Sequence, residues 1–202
     1  MANTTEPELD VPRIAAVLNR HGVAYLLVGG VAAGVHGAIR PTQDVDCLVD
    51  RDGDNLTCLA AAMRELNARL RVAGLDDAES ALLATVVDGL SLARMEISTW
   101  RTDAGNFDVL TDIPDRDGRR RPYGELAARA QSAAVGEVVV VVAALDDVIA
   151  SKEWADRPKD REALPELRAL WREQLAAADH EQGEATSTPP DAGPALGEGL
   201  GY

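Results

Sequence analysis

Aromatic residues are scarce: one Phe, three Trp and three Tyr in 202 residues. The core must therefore be built from Ala, Val and Leu. Cysteine is scarcer still, and Cys47 and Cys58 are too few for a disulfide framework or a zinc site. No apolar run exceeds the eight residues Val138–Leu145, which excludes a membrane-spanning helix. The opening MANTTEPELD has neither the basic nor the apolar region of a signal peptide, so the expected location is the cytoplasm, with no membrane partner. Cations are outnumbered, 20 Lys and Arg against 34 Asp and Glu, for a net charge of −14. A body this acidic argues against non-specific nucleic-acid binding by phosphate neutralisation. It does not argue against a site for a hard divalent metal, because clustered carboxylates bind such ions.

Periodicity predicts helices over Val11–His21, Val31–Gly37, Asn55 to about Leu70, Tyr123–Gln131, Asp146–Ala155 and Lys159–Ala177. Strands are expected at Ala24–Val28, Val45–Val49, Ala93–Arg101, Phe107–Leu110, Ala133–Val135 and Glu137–Ala143. The order gives an α+β fold, a mixed sheet with flanking helices and a C-terminal helical segment. Residues 178–202 contain no Lys or Arg and many Gly, Pro, Ser and Thr, the composition of a disordered acidic tail.

The glycine-rich stretch Leu26–Gly37, L-L-V-G-G-V-A-A-G-V-H-G, follows a strand and opens a helix. The G-x-G-x-x-G spacing of a dinucleotide fingerprint is absent, and Val35-His36 stands where a P-loop needs Lys-Ser or Lys-Thr. Two readings stay open. Either the turn only needs positive φ, or its backbone N–H groups meet a phosphate chain directly.

Some fourteen residues on, Asp44-Val45-Asp46 begins a strand. Side chains at i and i+2 share a strand face, so both carboxylates point the same way at the sheet's edge. Two like charges there call for a cation between them, unless the strand end is simply solvated.

The string V-G-G-V-A-A-G-V-H-G-A-I-R-P-T-Q-D-V-D resembles the first motif of the DNA polymerase β-type nucleotidyltransferase superfamily. With the downstream Arg157-Pro158-Lys159-Asp160 it is similar to the AbiEii and MenT-like toxins of bacterial toxin–antitoxin systems. The resemblance implies a polymerase β-like fold and Mg²⁺-dependent transfer of NMP from an NTP to the 3′ end of tRNA, which blocks translation. Its alternatives are a protein-nucleotidylating, AMP-adding toxin and a catalytically inactive nucleotide-binding module of the same fold. The organisation it implies is a nucleotidyltransferase core over 1–144, C-terminal helices over 145–177 completing the active site, and the tail over 178–202.

The same resemblance assigns roles. Asp44 and Asp46, with Asp108 on a later strand, would hold the metal, Glu96 being the competing third acid. Gly29, Gly30, Arg40, Thr42 and Lys152 would bind the nucleotide. Lys152 and Asp160 join the two aspartates as catalytic residues. A cognate antitoxin is the implied partner, and in the resembling toxins a hydroxyl residue at the place of Thr42 can be phosphorylated by it. The plain alternative is that Thr42 caps the turn after Pro41.

Lysine usage adds weight of its own. Against eighteen arginines stand only Lys152 and Lys159, which suggests that lysine is kept where a compact point charge is wanted. Asp160 either pairs with Lys152 or serves as an acid in the first turn of a helix. Arg116, Arg119, Arg120 and Arg121 form either a solvated basic loop or a contact to an RNA backbone. His36 either faces the active site or packs on its helix, and Trp100, Trp154 and Trp171 read most simply as core or interface residues.

Overall fold

The computed structural model describes residues 7–72, 74–75, 79–80 and 87–185. The chain opens with α1 (Val11–Arg20), where the Asp10 carboxylate accepts the Arg13 N–H at 2.9 Å and Pro12 lies in the first turn. That combination caps the helix and fixes its start. Its buried face of Ile14, Ala15, Val17 and Leu18 enters the core.

Strand β1 (Tyr25–Leu27) leads into α2 (Gly29–Val35), which starts at the glycine pair itself rather than after it. Strand β2 (Asp44–Val49) follows, then α3 (Gly53–Glu65), capped by Asp52. After β3 (Arg69–Leu70) and α4 (Gly89–Ala93), the hairpin β4 (Ile97–Thr102) and β5 (Gly105–Leu110) turns at Asp103-Ala104. A second hairpin, β6 (Asp112–Pro114) and β7 (Arg120–Pro122), was not expected from sequence; it holds the arginine-rich segment. Then come α5 (Tyr123–Ala127), the hairpin β8 (Gln131–Val135) and β9 (Val138–Val142), α6 (Leu145–Ala155) and α7 (Pro158–Ala185).

Seven strands form one mixed sheet in the order β3-β4-β5-β2-β1-β9-β8. β2 runs antiparallel to β1 and parallel to β5, and β1 runs parallel to β9. The antiparallel pairing sets the end of β1 beside the start of β2, and the Val28 N–H closes onto the Asp46 carbonyl at 3.0 Å. Glycine turn and Asp-x-Asp pair therefore share one end of the sheet. Alternation sends Val45, Cys47, Phe107 and Val109 into the core from one face and Asp44, Asp46, Asn106 and Asp108 to the other. Trp100, paired with Phe107 and fully buried, is the largest aromatic side chain of the core.

Helix α7 corrects the expected boundary of the tail. It runs on to Ala185, so residues 178–185 are helical, while 186–202 lie outside the described residues. Ala, Glu and Gln in this stretch extend a helix already nucleated upstream without needing a packed face. From Arg172 to Ala178 every side chain is exposed. Removing residues 178–202 is therefore expected to move the thermal midpoint by less than about 2 °C, read by circular dichroism. A larger drop would show that the terminal segment docks.

Candidate active site

Three carboxylates meet on adjoining strands. Asp46 is the register partner of Asp108 across β2 and β5, and Asp44 is the partner of Asn106. Thr99 on β4 lies opposite Asp108 on the same face and donates to its carboxylate. Like charges this close, and partly out of water, disfavour ionisation. Burial raises the pKa of Asp46, and Asp44 raises it further, against the fields of Lys159, Lys152 and Arg157. Burial, Asp46 and Asp44 together push Asp108 up to about 6. Glu96, the other candidate third acid, is exposed ahead of β4, where its carbonyl accepts the Thr111 N–H at 3.2 Å.

The glycine turn is shaped around this group. Gly29 has φ +62°, and a Cβ there would fall 1.9 Å from Asp46 Oδ2. A Cβ on Gly30 would fall 2.4 Å from Thr42 Oγ1. Both glycines are required by close approach, and the backbone meets the carboxylate without an intervening side chain. Thr42 Oγ1 in turn lies 3.1 Å from Asp44 Oδ1 and 3.1 Å from the Asp44 carbonyl. The hydroxyl both closes the turn and touches the first carboxylate.

The opposite wall comes from α6 and α7. Asp156 ends α6 in a left-handed conformation (φ 45°), so α7 begins almost at once and Asp160 folds back on Lys152. Lys152 Nζ and Asp160 Oδ1 are 3.2 Å apart, with Asp160 wholly buried. Arg157 Nε reaches the other oxygen at 2.6 Å. Burial pushes the Asp160 pKa up, but the hydrogen bonds from Arg157 and Lys152 and their charges outweigh it and hold the carboxyl below its ordinary range. Lys152 is thus fixed by an ionised partner while remaining partly open to a cleft of about 320 Å³, bordered also by Val28, Gly29 and Asp46.

Arg40 does not join this group. Its guanidinium donates to the Glu162 carbonyl at 2.8 Å and lies 3.5 Å from Glu166 Oε2, tying the loop before β2 to α7. Acids on a helix more than a hundred residues downstream draw it away from the cleft. The arginine-rich segment is also spent internally. Arg116 binds Glu153 at 2.6 Å, Arg119 binds Glu125 at 2.7 Å, Arg120 binds Asp112 at 2.5 Å and Arg121 binds Asp147 at 2.7 Å. His36 is a packing residue whose Nε2 lies 2.8 Å from the Ala143 carbonyl. No site role was legible in the sequence for Thr99 or Asn106, which cross-strand register places, and Arg157 stood out only as part of the R-P-K-D segment that the α6–α7 turn brings to Asp160.

A divalent cation fits the donor set. Asp108 Oδ1 is buried without a hydrogen-bond partner, and so is Asn106 Oδ1 beside it. Carboxylate oxygens suit Mg²⁺, which takes one or two carboxylates and completes its shell with water and phosphate. Among the described residues, no group of three or more His, Cys, Asp or Glu side chains is arranged to hold a metal ion by itself.

No family model matches the sequence, and no curated protein matches it either. Two solved structures are similar in fold. The lincosamide antibiotic adenylyltransferase LnuA, with lincomycin bound, has a TM-score of 0.53 at 11% identity, covering 81% of this chain and 99% of its own. The antibiotic-resistance enzyme ANT(2″)-Ia, in complex with adenylyl-2″-tobramycin, has a TM-score of 0.50 at 16% identity, covering 86% of this chain and 92% of its own. The chain has the polymerase β-like nucleotidyltransferase fold. Within that fold the mixed sheet expected from the sequence is present, and its adjacent strands β2 and β5 carry the acids.

The upward shifts of Asp46 and Asp108 give a testable pH dependence. An unfolded aspartate titrates near about 3.9, so the fold favours the protonated carboxyl. The stability this contributes is present at low pH and lost as pH rises through about 6. In EDTA, the thermal midpoint of the native protein is expected to fall between about pH 4 and pH 7 relative to Asp108→Asn. Mg²⁺ should restore it more at pH 7 than at pH 5. Parallel curves for the two proteins would remove Asp108 from the carboxylate group.

Proposed function

We propose that this chain is a Mg²⁺-dependent nucleotidyltransferase that moves a nucleoside monophosphate from an NTP onto a hydroxyl acceptor. What carries the reading is the placement of Asp44, Asp46 and Asp108 on one sheet face, flanked by the Gly29-Gly30 turn and by Lys152. Asp44, Asp46 and Asp108 would hold Mg²⁺, which supplies Lewis-acid stabilisation of phosphoryl oxygens and acidifies an attacking hydroxyl. The first-turn N–H groups of α2 have no partner within the helix and would cradle phosphate oxygens. Lys152 would neutralise the outer phosphates, the part that leaves as pyrophosphate. Asp160 would keep that ammonium in place.

The acceptor and the biological role rest on the resemblance of Val28–Asp46 and Arg157–Asp160 to AbiEii and MenT-like toxins. On that basis the acceptor is the 3′ end of tRNA, the outcome is blocked translation in the cytoplasm, and the partner is a cognate antitoxin. The internal pairing of Arg116–Arg121 favours an RNA engaged at its terminal nucleotides rather than along its backbone. The same pairing is what supports a second reading, addition of AMP to a protein. The assembled acids and the anchored Lys152 speak against a catalytically inactive module.

Incubation with each labelled NTP and either total RNA or total protein, with and without Mg²⁺, separates these readings. Asp44→Ala or Asp46→Ala is expected to abolish transfer with the thermal midpoint unchanged or raised, since an uncompensated carboxylate is removed. Lys152→Ala should raise the KM for NTP and lower kcat by about 10²-fold, the scale for removing one charge stabiliser. Near-normal transfer by Asp46→Ala would overturn the metal assignment.

Control by the antitoxin has a physical handle at Thr42. A phosphate on its hydroxyl would place about −2 charge against a carboxylate oxygen now 3.1 Å from Thr42 Oγ1. NTP binding would be blocked by repulsion and bulk without unfolding. Mass spectrometry of the co-expressed protein should find that phosphate, and Thr42→Glu should be folded and inactive. An active Thr42→Glu protein would leave steric masking as the mode of control.

A further inference from the structure

The sheet face that carries the acids changes character one row further along. Asp46 and Asp108 form one cross-strand row, and the next row on the same face is Leu48, Leu110 and Ile97. Two residues of strand separate the rows, about 7 Å. Ile97 is 58% exposed, and it lines the same cleft as Asp46 and Lys152. Trp154 of α6 borders the same cleft, 52% exposed although it is among the largest apolar side chains of the protein.

That indole is held. Gly118, at the tip of the β6–β7 hairpin with φ +83°, has no side chain, and a Cβ there would lie 2.3 Å from Trp154 Cη2 and 2.6 Å from Cζ2 and Cζ3. The hairpin is itself fastened to α6 by Arg116–Glu153 at 2.6 Å and Arg121–Asp147 at 2.7 Å. Ring, hairpin and helix thus make one rigid wall, apolar on its cleft side at Ile113 and Pro114. A large aromatic surface left half in water, but fixed in position beside a charged cleft, is arranged to receive a planar ring rather than to fill a core.

We infer that Trp154, seated on Gly118, is the stacking platform for the base of the donor NTP, with Ile97 and Leu110 as the floor of that subsite. This rests on the proposed nucleotidyl transfer and deepens it. With the phosphates against Gly29 and Lys152, the apolar row begins about 7 Å from the acids, the span of a ribose. Trp154 and Ile97 would take the ring by its face, while the Asp112–Arg120 pair lining the same cleft offers polar groups to its edge.

Binding of each of the four NTPs and of inorganic tripolyphosphate, all with Mg²⁺, tests this in the full chain. For the NTP bound most tightly, Trp154→Ala should weaken binding about tenfold or more, and Trp154→Phe should restore most of it. Tripolyphosphate affinity should be the same in all three proteins. Because Trp100 is fully buried, NTP should quench a fluorescence component that Trp154→Phe lacks. Equal NTP affinity in Trp154→Ala, or an equal loss for tripolyphosphate, would overturn the subsite and leave the proposed transfer standing. Absence of binding by any NTP to the native protein would overturn both.

Discussion

Three like charges brought together at the edge of an apolar sheet are the constraint on which the candidate site depends. Asp46 and Asp108 are register partners, and Asp44 adds to the potential at both. Water is partly excluded, so the repulsion is not screened as it would be on an open surface. The fold counters it with Lys152, Arg157 and Lys159 acting on Asp46 and with Arg71 acting on Asp108. Those cations do not close over the acids, and Lys152 and Arg157 are shared with buried Asp160. The result is a charge distribution that a divalent cation and a phosphate chain together would complete. Much of the surrounding geometry is explained by this need: glycines where the backbone passes Asp46 and Thr42, and a tight α6–α7 turn that returns Asp160 to Lys152.

What could be read from the sequence was what is local. The Asp10 cap with Pro12, the Asp-x-Asp period of two, and the glycine turn ahead of a short helix are decided within a few residues. Asp108 stands ahead of Glu96 because the resemblance calls for a third acid on a later strand, and Lys152 stands out because lysine is so rare in this chain and the resemblance assigns it a nucleotide contact. The 62-residue separation between Asp46 and Asp108 is carried by parallel register, which leaves no mark in composition. Arg40 illustrates the opposite case. Its position just before the acids suggested a phosphate contact, while its actual partners, Glu162 and Glu166, lie on a helix far along the chain. The β6–β7 hairpin went unread because Arg and Asp dominate it and Ile113 is its one buried apolar residue. Its arginines looked like a surface for a polyanion, yet each has an intramolecular acid. Trp154, read as a core or interface residue, is not in the core: it is half exposed, with Gly118 of the hairpin against its ring.

The pairing of Lys152 with Asp160 carries one more consequence, which concerns when the site comes into being. The acids occupy strands completed by Leu110, whereas the cationic wall is made only after α6 and the start of α7 exist. On a ribosome the sheet can begin to fold while that wall is still unsynthesised. During this interval the chain would own an acid cluster and a glycine turn but no anchored lysine to hold a phosphate tail. Assembly from such distant segments is also slow, since their loop-closure entropy must be overcome before the contacts form. A polypeptide built this way lacks its complete candidate site until its last helices have emerged, a delay written into the order of its elements.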